Sequence, residues 1–512
     1  MVGVGLIDIS GTCKRVVMAP EVDQTPQGIS EDSTHHRVVT NTVLLVGLRV
    51  LMPMLSVALI LALSRYLGAE GLGRYTLAFS VLYVFNAIAP LGLSSVITRE
   101  CARDPDRLHT VLGNALTVGT MTSLVCIPLM ISAGFMLGYE HDTRTALNVL
   151  SAAVLPFTIG TMLESAFIAK ERIDLMAIGA FVENALKVGV GVVLLYLGYG
   201  LQSVLIMAVF GRIVSCLLSI YLLRRIGVKV SLTSDAGVRK QLLKLAPTFF
   251  FIGVFATLYW RIDIFMLSTL KPVTEVGYYG AAYRLLELAM IFPQSLCLAI
   301  YPQIVSATHT NLTALNKLGQ TSSRYLAAVS LPVVICTVLL AEPILVMLYG
   351  ESFRVAAPTL AVLMLTLLPY SIVRYHAYVL VGANRQHVDL WLNVVMALLN
   401  ILLNLVLIPR YSYFGAALAT FIAVCIYAIL QYSYVRIKLS RHAAPLGIQS
   451  IVVVASALIG IGVWWLRDVN VLGLSIVSGI AYLTLLYVGG FFTRSELQLF
   501  GVGRMMDRLG IR

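Results

Sequence analysis

Long runs of apolar residues separated by short polar connections are the main pattern in this 512-residue chain. A run of about 20 apolar residues is long enough to cross the hydrocarbon core of a bilayer as a helix. In lipid, only helices and closed barrels can pair all of their own backbone polar groups. The pattern therefore predicts fourteen transmembrane helices, at residues 40–64, 74–98, 110–137, 146–169, 174–198, 202–223, 243–269, 277–304, 323–348, 356–381, 389–409, 413–435, 447–466 and 470–492.

The composition agrees with an integral membrane protein. Hydrophobic residues make up 59% of the chain and charged residues only 12%, and the mean hydropathy is +0.88. Soluble globular domains carry roughly 25% charged residues, so this chain has too few charges to cover a water-soluble fold. These values exclude a cytosolic enzyme, a secreted domain and a disordered protein. They also argue against a β-barrel, in which polar and apolar residues alternate.

The basic residues are unevenly distributed between the two sides of the predicted membrane. With the N-terminus inside, the inside segments hold 24 of the 37 Lys and Arg residues, the outside segments hold 7, and the spans hold 6. Basic residues accumulate in cytoplasmic loops. We therefore expect a multi-pass protein of the cell (inner) membrane with both termini in the cytoplasm. The same loops account for the net charge of +12, so we expect no nucleic-acid partner.

A short internal similarity relates the two halves of the chain. The start of predicted helix 2, G-R-Y-T-L-A-F, resembles the start of predicted helix 8, G-Y-Y-G-A-A-Y. Two six-helix bundles that each begin on the same side of the membrane are typical of a transporter with a central cavity. The matched residues lie at a constant offset of 204 and are Gly73, Tyr75 and Ala78 in the first half and Gly277, Tyr279 and Ala282 in the second.

The predicted fold class is an all-α integral membrane protein with two pseudo-symmetric six-helix bundles, the N and C lobes, and two extra C-terminal helices. The expected divisions are a cytoplasmic tail at 1–39, the N lobe at 40–225, a cytoplasmic linker at 226–242, the C lobe at 243–438, and helices 13 and 14 with a cytoplasmic C-terminus at 446–512.

Two stretches in the second half of the chain contain distinctive motifs. Residues 259–305, YWRIDIFMLSTLKPVTEVGYYGAAYRLLELAMIFPQSLCLAIYPQIV, have an Arg-x-Asp end to helix 7 and a Gly-x-Tyr-x-x-Ala-Tyr-Arg start to helix 8. Residues 399–423, LNILLNLVLIPRYSYFGAALATFIA, have an Asn-rich helix 11, an Ile-Pro turn and a Gly-Ala-Ala-x-Ala-Thr start to helix 12. These motifs resemble polysaccharide flippases of the Wzx type, in the multidrug/oligosaccharidyl-lipid/polysaccharide exporter superfamily, and a weaker match covers residues 71–100.

The resemblance implies a flippase that moves a polyprenyl-diphosphate-linked oligosaccharide from the cytoplasmic to the outer leaflet for surface polysaccharide biosynthesis. We expect alternating access around a cationic cavity, with no cofactor and no enzymatic activity. The expected partners are the lipid-linked oligosaccharide, membrane lipid, a coupling ion (H⁺ or Na⁺) and a glycan polymerase. The alternatives are a multidrug/cation antiporter of the same superfamily and a membrane-embedded glycan polymerase or ligase.

Basic residues inside the predicted spans are the candidates for contact with the diphosphate. A charge near the bilayer centre costs a few kcal/mol or more and normally faces a cavity or a partner. Arginine can bind phosphate with two parallel hydrogen bonds. Arg49 and Arg374 have no acid within one turn of their own helices and are the first candidates, followed by Arg261, Arg284 and Arg212.

Two of the basic residues in the spans have acidic neighbours at helical spacing. Glu183 and Lys187 are four residues apart, and Arg284 and Glu287 are three apart, so each pair can share a helix face and neutralise its charges. These spacings predict local ion pairs as alternatives to substrate contacts.

Acids in predicted helices 7 and 8 are the candidates for ion coupling. Arg261 and Asp263 are two residues apart, so they lie on different helix faces and are not expected to pair. Asp263 instead either pairs with Arg284 on the neighbouring helix or binds a coupling ion. We expect Asp263 and Glu287 to be the ion-coupling residues, and we expect no catalytic residue and no metal ligand.

Overall fold

The computed structural model describes residues 31–310, 312–439, 449–466 and 471–492. Side chains are described from Leu55 onward within these ranges, except at residues 102, 309, 310, 312 and 472. Most of the predicted tail at 1–39 and residues 493–512 lie outside the described residues. The described ranges contain helices and short connections and no β-strand, which confirms the predicted all-helical class for this part of the chain.

Seventeen α-helices make up most of the described chain. Short 3-10 turns lie at Pro105–Arg107 and Glu351–Ala356, and π-helical turns lie at Ala185–Val190 and Val435–Leu439. The α-helices are α1 Glu31–Ile88, α2 Leu93–Arg103, α3 Leu108–Met136, α4 His141–Ser151, α5 Val154–Ala169, α6 Ile173–Asn184, α7 Gly191–Tyr196, α8 Gly200–Arg225, α9 Ala236–Leu270, α10 Val273–Thr310, α11 Leu312–Leu339, α12 Ala341–Tyr349, α13 Ala357–Leu365, α14 Leu367–Gly382, α15 Gln386–Tyr434, α16 Ser450–Trp465 and α17 Val471–Val488.

Nine helical stretches in the described ranges are long and apolar enough to cross a membrane. The helices α4 and α5 add a tenth if they form a single span with a bend of 40°. The sequence predicts one continuous helix here, but the chain breaks between Ser151 and Val154. Pro156 lies in the first turn of α5, and because proline has no backbone N–H it cannot continue the hydrogen bonding from α4. The helices α16 and α17 are apolar but shorter.

The two longest helices each change direction at one residue with a left-handed backbone. Gly68 in α1 has φ 64°, and Ser412 in α15 has φ 53°. Glycine adopts this conformation at little cost because it has no Cβ, whereas the same conformation is uncommon for serine. These kinks fall in the predicted connections between helices 1 and 2 and between helices 11 and 12. Each long helix therefore consists of two helical segments.

The helices α1 and α10 cross so closely that their backbones touch. A Cβ atom on Gly73 would lie 3.0 Å from the Gly277 nitrogen and would collide with the Val273 carbonyl. A Cβ atom on Gly277 would lie 3.1 Å from the Gly73 nitrogen and would collide with the Ala69 carbonyl. Ala69 and Val273, like Gly73 and Gly277, are 204 positions apart. The contacts are therefore reciprocal, as they are across a two-fold axis.

The two C-terminal helices pack against the second half of the chain. Residues of α16 and α17 form one apolar cluster with α11, which includes Ala328, Val452 and Tyr482. The Tyr482 hydroxyl donates a hydrogen bond of 2.7 Å to the Ala328 carbonyl. A buried tyrosine hydroxyl needs such a partner, and this bond anchors α17 to α11.

The helix crossing predicts a selective sensitivity to an added methyl group. Gly277→Ala should lower the free energy of unfolding by about 1–3 kcal/mol, because the new Cβ overpacks a backbone-to-backbone contact. Thermal unfolding of the purified protein in detergent measures this change. Gly253→Ala in α9 is the matched control, since no atom lies within 4 Å of its new Cβ. Equal melting temperatures for the two variants would contradict the close crossing.

Candidate functional site

The predicted site residues fall into separate parts of the helical bundle. Arg49 lies in α1, but its side chain lies outside the described residues. Arg212 lies in α8, on the first half of the chain. The other candidates lie on α9, α10 and α14 of the second half, and they are Arg261, Asp263, Arg284, Glu287 and Arg374.

Arg212 is neutralised by two carboxylates. Its Nη1 atom donates to Glu164 Oε1 at 3.1 Å and to Glu183 Oε2 at 2.8 Å, and its Nη2 atom donates to the Phe157 carbonyl at 3.2 Å. The guanidinium also lies 4.5 Å from the centre of the Phe157 ring. Only 8% of the Arg212 side chain is exposed. Gly160 makes room for the guanidinium, since a Cβ there would lie 2.6 Å from Nη2.

Lys187 does not form the local pair with Glu183 that its spacing predicts. Glu183 is bound to Arg212, and in the described chain no carboxylate oxygen lies within the 4.0 Å ion-pair distance of the Lys187 ammonium. Lys187 lies inside the π-helical turn Ala185–Val190. A π-helix bonds each residue to the fifth along the chain, so the four-residue spacing does not have its usual α-helical geometry here. The Lys187 ammonium still lies within electrostatic range of Glu183, and also of Arg284 and Arg212.

Arg261 and Arg284 meet at one carboxylate. The Arg284 Nη1 atom donates to Glu287 Oε2 at 2.7 Å, which confirms the predicted pair, and Arg261 Nη2 lies 3.5 Å from Glu287 Oε1. The Arg261 guanidinium also lies 4.9 Å from the centre of the Tyr83 ring in α1. We call Arg261, Arg284 and Glu287 the arginine cluster. It therefore contacts the first half of the chain through Tyr83.

The arginine cluster has more positive than negative charge and remains accessible. Two arginines share one carboxylate. The exposed fraction is 21% for each arginine side chain and 28% for Glu287. An accessible cluster with surplus positive charge can bind an anion.

Arg374 has no acidic partner in the part of the chain that the structure describes. Its one hydrogen bond to a side chain there runs from Nη2 to the Tyr378 hydroxyl at 3.4 Å. Its Nε atom is buried without a hydrogen-bond partner. Tyr370 lies one turn before it, and Gln294 of α10 donates to the Tyr370 hydroxyl at 2.8 Å. The prediction from sequence that Arg374 is unpaired on its own helix is confirmed.

Asp263 is held by neutral donors from three helical segments. Its Oδ2 atom accepts hydrogen bonds from the Tyr279 hydroxyl at 2.8 Å and the Thr420 hydroxyl at 2.6 Å, and its Oδ1 atom accepts from Asn404 Nδ2 at 2.7 Å. The alternative in which Asp263 pairs with Arg284 is therefore wrong. Arg284 lies on a different face of α10 and bonds to Glu287.

Asn400 and Asn404 complete the surroundings of Asp263. Asn404 Nδ2 also donates to Asn400 Oδ1 at 3.0 Å, and Asn404 Oδ1 is buried without a partner. The Thr420 hydroxyl also donates to the Ala416 carbonyl at 3.1 Å. Sequence reasoning placed these residues in a motif without joining them to Asp263. The four-residue spacing of the asparagines was the available indication of a shared polar face.

The fold, with charged residues enclosed between apolar helices, is that of a polytopic membrane protein. A family model described as polysaccharide biosynthesis protein matches residues 38–308, more than half of the chain, and one described as MatE matches residues 249–406. The chain belongs to the polysaccharide biosynthesis protein family, and its resemblance to polysaccharide flippases is confirmed.

Individual relatives agree with this assignment. The chain is 22% identical over 406 residues to the putative O-antigen transporter of Shigella flexneri. This match covers 73% of this chain and 92% of the relative. It is 23% identical over 492 residues to the lipid II flippase MurJ of Bacillus subtilis (strain 168), covering 86% of each. A solved structure of lipid II flippase MurJ in an inward closed conformation has the same fold, with a TM-score of 0.71 and 16% identity over 87% of this chain and 98% of that one.

The ion cluster at Arg212 predicts a large loss of stability when the arginine is removed. Arg212→Met leaves Glu164 and Glu183 without their shared cation, and breaking a buried pair in this way costs about 3–5 kcal/mol. Thermal unfolding in detergent checks this value. Adding Glu164→Gln and Glu183→Gln should restore part of the stability, because no charge is then left unpaired. Arg354→Met, at an exposed arginine, should leave the melting temperature unchanged, and an equal effect of the two arginine variants would contradict the structural role of Arg212.

Proposed function

We propose that this protein moves a polyprenyl-diphosphate-linked oligosaccharide from the cytoplasmic to the outer leaflet for surface polysaccharide biosynthesis. The observation that carries the proposal is the accessible surplus of positive charge at the arginine cluster. Two arginines there share one carboxylate within a bundle of apolar helices. The relatives named as an O-antigen transporter and a lipid II flippase support the same kind of substrate.

The chemistry of the cluster fits a diphosphate better than a cationic drug. Charge-assisted bonds from arginine to phosphate are short and often bidentate, and they gain strength where water is scarce. In this proposal the diphosphate competes with Glu287 for Arg261 and Arg284. A multidrug/cation antiporter would need a carboxylate without cations at this place, whereas Glu287 already contacts two arginines.

The other predicted arginines divide by their surroundings. We propose Arg374 as a second phosphate or sugar contact, because among the described residues it has no acidic partner and its Nε atom has no hydrogen-bond partner. Arg49 stays a candidate on its position in α1. We assign Arg212 a structural role, since two carboxylates already neutralise it.

We further propose fourteen spans in two lobes that move by alternating access, with both termini in the cytoplasm. The kinks divide α1 and α15 into two spans each. The bent pair of α4 and α5 adds one span, α16 and α17 add one each, and the other seven long apolar stretches supply one each. The reciprocal contact of Gly73 and Gly277 supports two lobes related by a two-fold axis. This axis passes between α1 and α10, beside the arginine cluster.

Asp263 is the better of the two candidate coupling acids, and we propose Na⁺ as its ion. The site offers one carboxylate and neutral oxygens, which matches a monovalent cation in charge. The buried Asn404 Oδ1 atom lacks a partner, as expected of an oxygen that can turn to an ion. Asn400, Thr420 and the Ala416 carbonyl supply further oxygens. Glu287 is held by two arginines and is less free to bind a cation.

The assigned role of the arginine cluster predicts a loss of flipping in one variant. Arg284→Gln removes a charge-assisted contact worth about 1.5–3 kcal/mol, so the rate should fall roughly 10- to 100-fold. Reconstituted vesicles with a labelled lipid-linked oligosaccharide measure the rate. Arg354→Gln is the matched control, because this arginine is exposed and bonds to Glu342 and Glu351. Flipping by Arg284→Gln at the rate of the unmodified protein would refute the assignment.

The proposed ion site predicts stabilisation by sodium that depends on one carboxylate. NaCl, compared with choline chloride at equal ionic strength, should raise the melting temperature of the unmodified protein, because an ion that binds only the folded state stabilises it. Asp263→Asn should abolish this shift, since it removes the negative charge of the site. Asp174→Asn, at an exposed acid paired with Arg172, should retain it. An equal sodium-dependent rise in melting temperature in the unmodified protein and in Asp263→Asn would exclude the site.

A further inference from the structure

A second acid, partly exposed, lies on the same pair of helical segments that borders the Asp263 site. Asp389 is in the first turn of α15, and its Oδ1 atom accepts hydrogen bonds from the Tyr427 hydroxyl and from Gln431 Nε2, both at 2.7 Å. Asn393 Nδ2 donates to the Tyr427 hydroxyl at 2.7 Å and to the Asp389 carbonyl at 2.8 Å. These contacts join the two segments of α15, which run antiparallel on either side of Ser412.

This cluster has more acceptor oxygens than donors. Both side-chain bonds to Asp389 end on Oδ1, and in the described part of the chain none ends on Oδ2. Gln431 has an exposed fraction of 0%, and its Oε1 atom is buried without a partner. Leaving such an oxygen unpaired in a buried place costs free energy. A bound cation would satisfy it, because hard cations bind carboxylate and amide oxygens.

The Arg374 guanidinium is not the cation that neutralises Asp389. It lies close enough for its charge to act on Asp389, but no ion pair between them lies within 4.0 Å. The Arg374 guanidinium instead bonds to the Tyr378 hydroxyl. The carboxylate of Asp389 therefore bonds only to neutral side chains among the described residues.

The Asp389 cluster and the Asp263 site have the same chemical plan. In each, a hydroxyl on the second segment of α15 donates to the carboxylate, Thr420 at Asp263 and Tyr427 at Asp389. Each also has an asparagine on the first segment: Asn404 donates to the Asp263 carboxylate, and Asn393 donates to the Tyr427 hydroxyl. Each also contains one buried amide oxygen without a partner, Asn404 Oδ1 or Gln431 Oε1. The resemblance in ligand type indicates a similar ligand.

The side chain of Tyr259 lies between the two sites. Asn400 and Asp389 are 11 residues apart on one helical segment, which is about 16 Å along its axis. Tyr259 lies one turn before Asp263 on α9, and its hydroxyl reaches Met396, which lies between Asn393 and Asn400 on the first segment of α15. That hydroxyl donates to the Met396 sulfur at 2.9 Å. Thioether sulfur is a weak acceptor, so this bond is easily exchanged for a better one.

We propose that Asp389, Asn393, Tyr427 and Gln431 form a second binding site for a monovalent cation, Na⁺, and that Tyr259 separates it from the Asp263 site. The inference rests on the proposed coupling ion at Asp263 and extends it. The ion would then have a route of its own through the second half of the chain, along the seam between the segments of α15. This route is separate from the arginine cluster that contacts Tyr83.

Counting bound sodium tests the second site directly. Binding of ²²Na⁺ to the purified full-length protein in detergent should saturate at two ions per chain. Asp389→Asn should bind one, because asparagine can still accept the bonds from Tyr427 and Gln431 but carries no charge. Asp263→Asn should also bind one, and the double variant none. Asp174→Asn is the matched control and should bind two.

A conservative variant covers the case in which Asp389→Asn does not fold. Tyr427→Phe keeps the ring and removes one oxygen ligand, so it should weaken the second binding event roughly 10-fold and leave the first unchanged. The second site would be overturned if the unmodified protein bound one ion per chain and Asp389→Asn or Tyr427→Phe bound sodium in the same way. That result would leave Asp263 as the coupling acid. No sodium binding in the unmodified protein would overturn both.

Discussion

The cost of an unpaired charge in a low-dielectric bundle organises this protein. Each ionised group between apolar helices needs a counter-charge, a set of hydrogen-bond partners or an accessible space. Arg212 has the first, with two carboxylates on one nitrogen. Asp263 has the second, with three neutral donors. Arg261 and Arg284 have only half of a counter-charge each and remain partly exposed, and this incomplete compensation distinguishes a candidate binding site from a structural ion pair.

The helix α9 separates two regions of opposite polarity. Arg261 and Asp263 are two residues apart, so their side chains leave the helix on different faces. Arg261 reaches Glu287 and the Tyr83 ring, whereas Asp263 reaches Thr420 and Asn404 on α15. One rigid helix thus borders both the cationic cluster and the oxygen-rich seam. In the proposed mechanism, a movement of α9 would change both sites together, which is the physical requirement for coupling an ion to an anionic substrate.

Close helix packing places these regions next to each other. The absence of a Cβ on Gly73 and Gly277 lets the backbones of α1 and α10 touch. Without a hydrophobic effect between helices in lipid, contacts between small residues contribute strongly to association. The crossing brings Tyr83 of the first half within reach of Arg261 in the second. The glycine pair therefore helps to define the site although it carries no chemistry.

The sequence alone determined the helical membrane class, because apolar runs long enough to cross a bilayer leave few other structures open to the backbone. It also indicated the family, through the motifs at residues 259–305 and 399–423. It also identified the pair of Arg284 with Glu287 and the separation of Arg261 from Asp263, since both depend only on spacing along one helix. Tertiary structure alone decided which charges are neutralised across helices: Arg212 bonds to acids 48 and 29 positions away, and Asp263 bonds to Thr420, 157 positions away. It also showed that Glu183 forms its ion pair with Arg212 and not with Lys187. Periodicity reports which residues share a face of one helix, and it contains no information on which helix that face will meet.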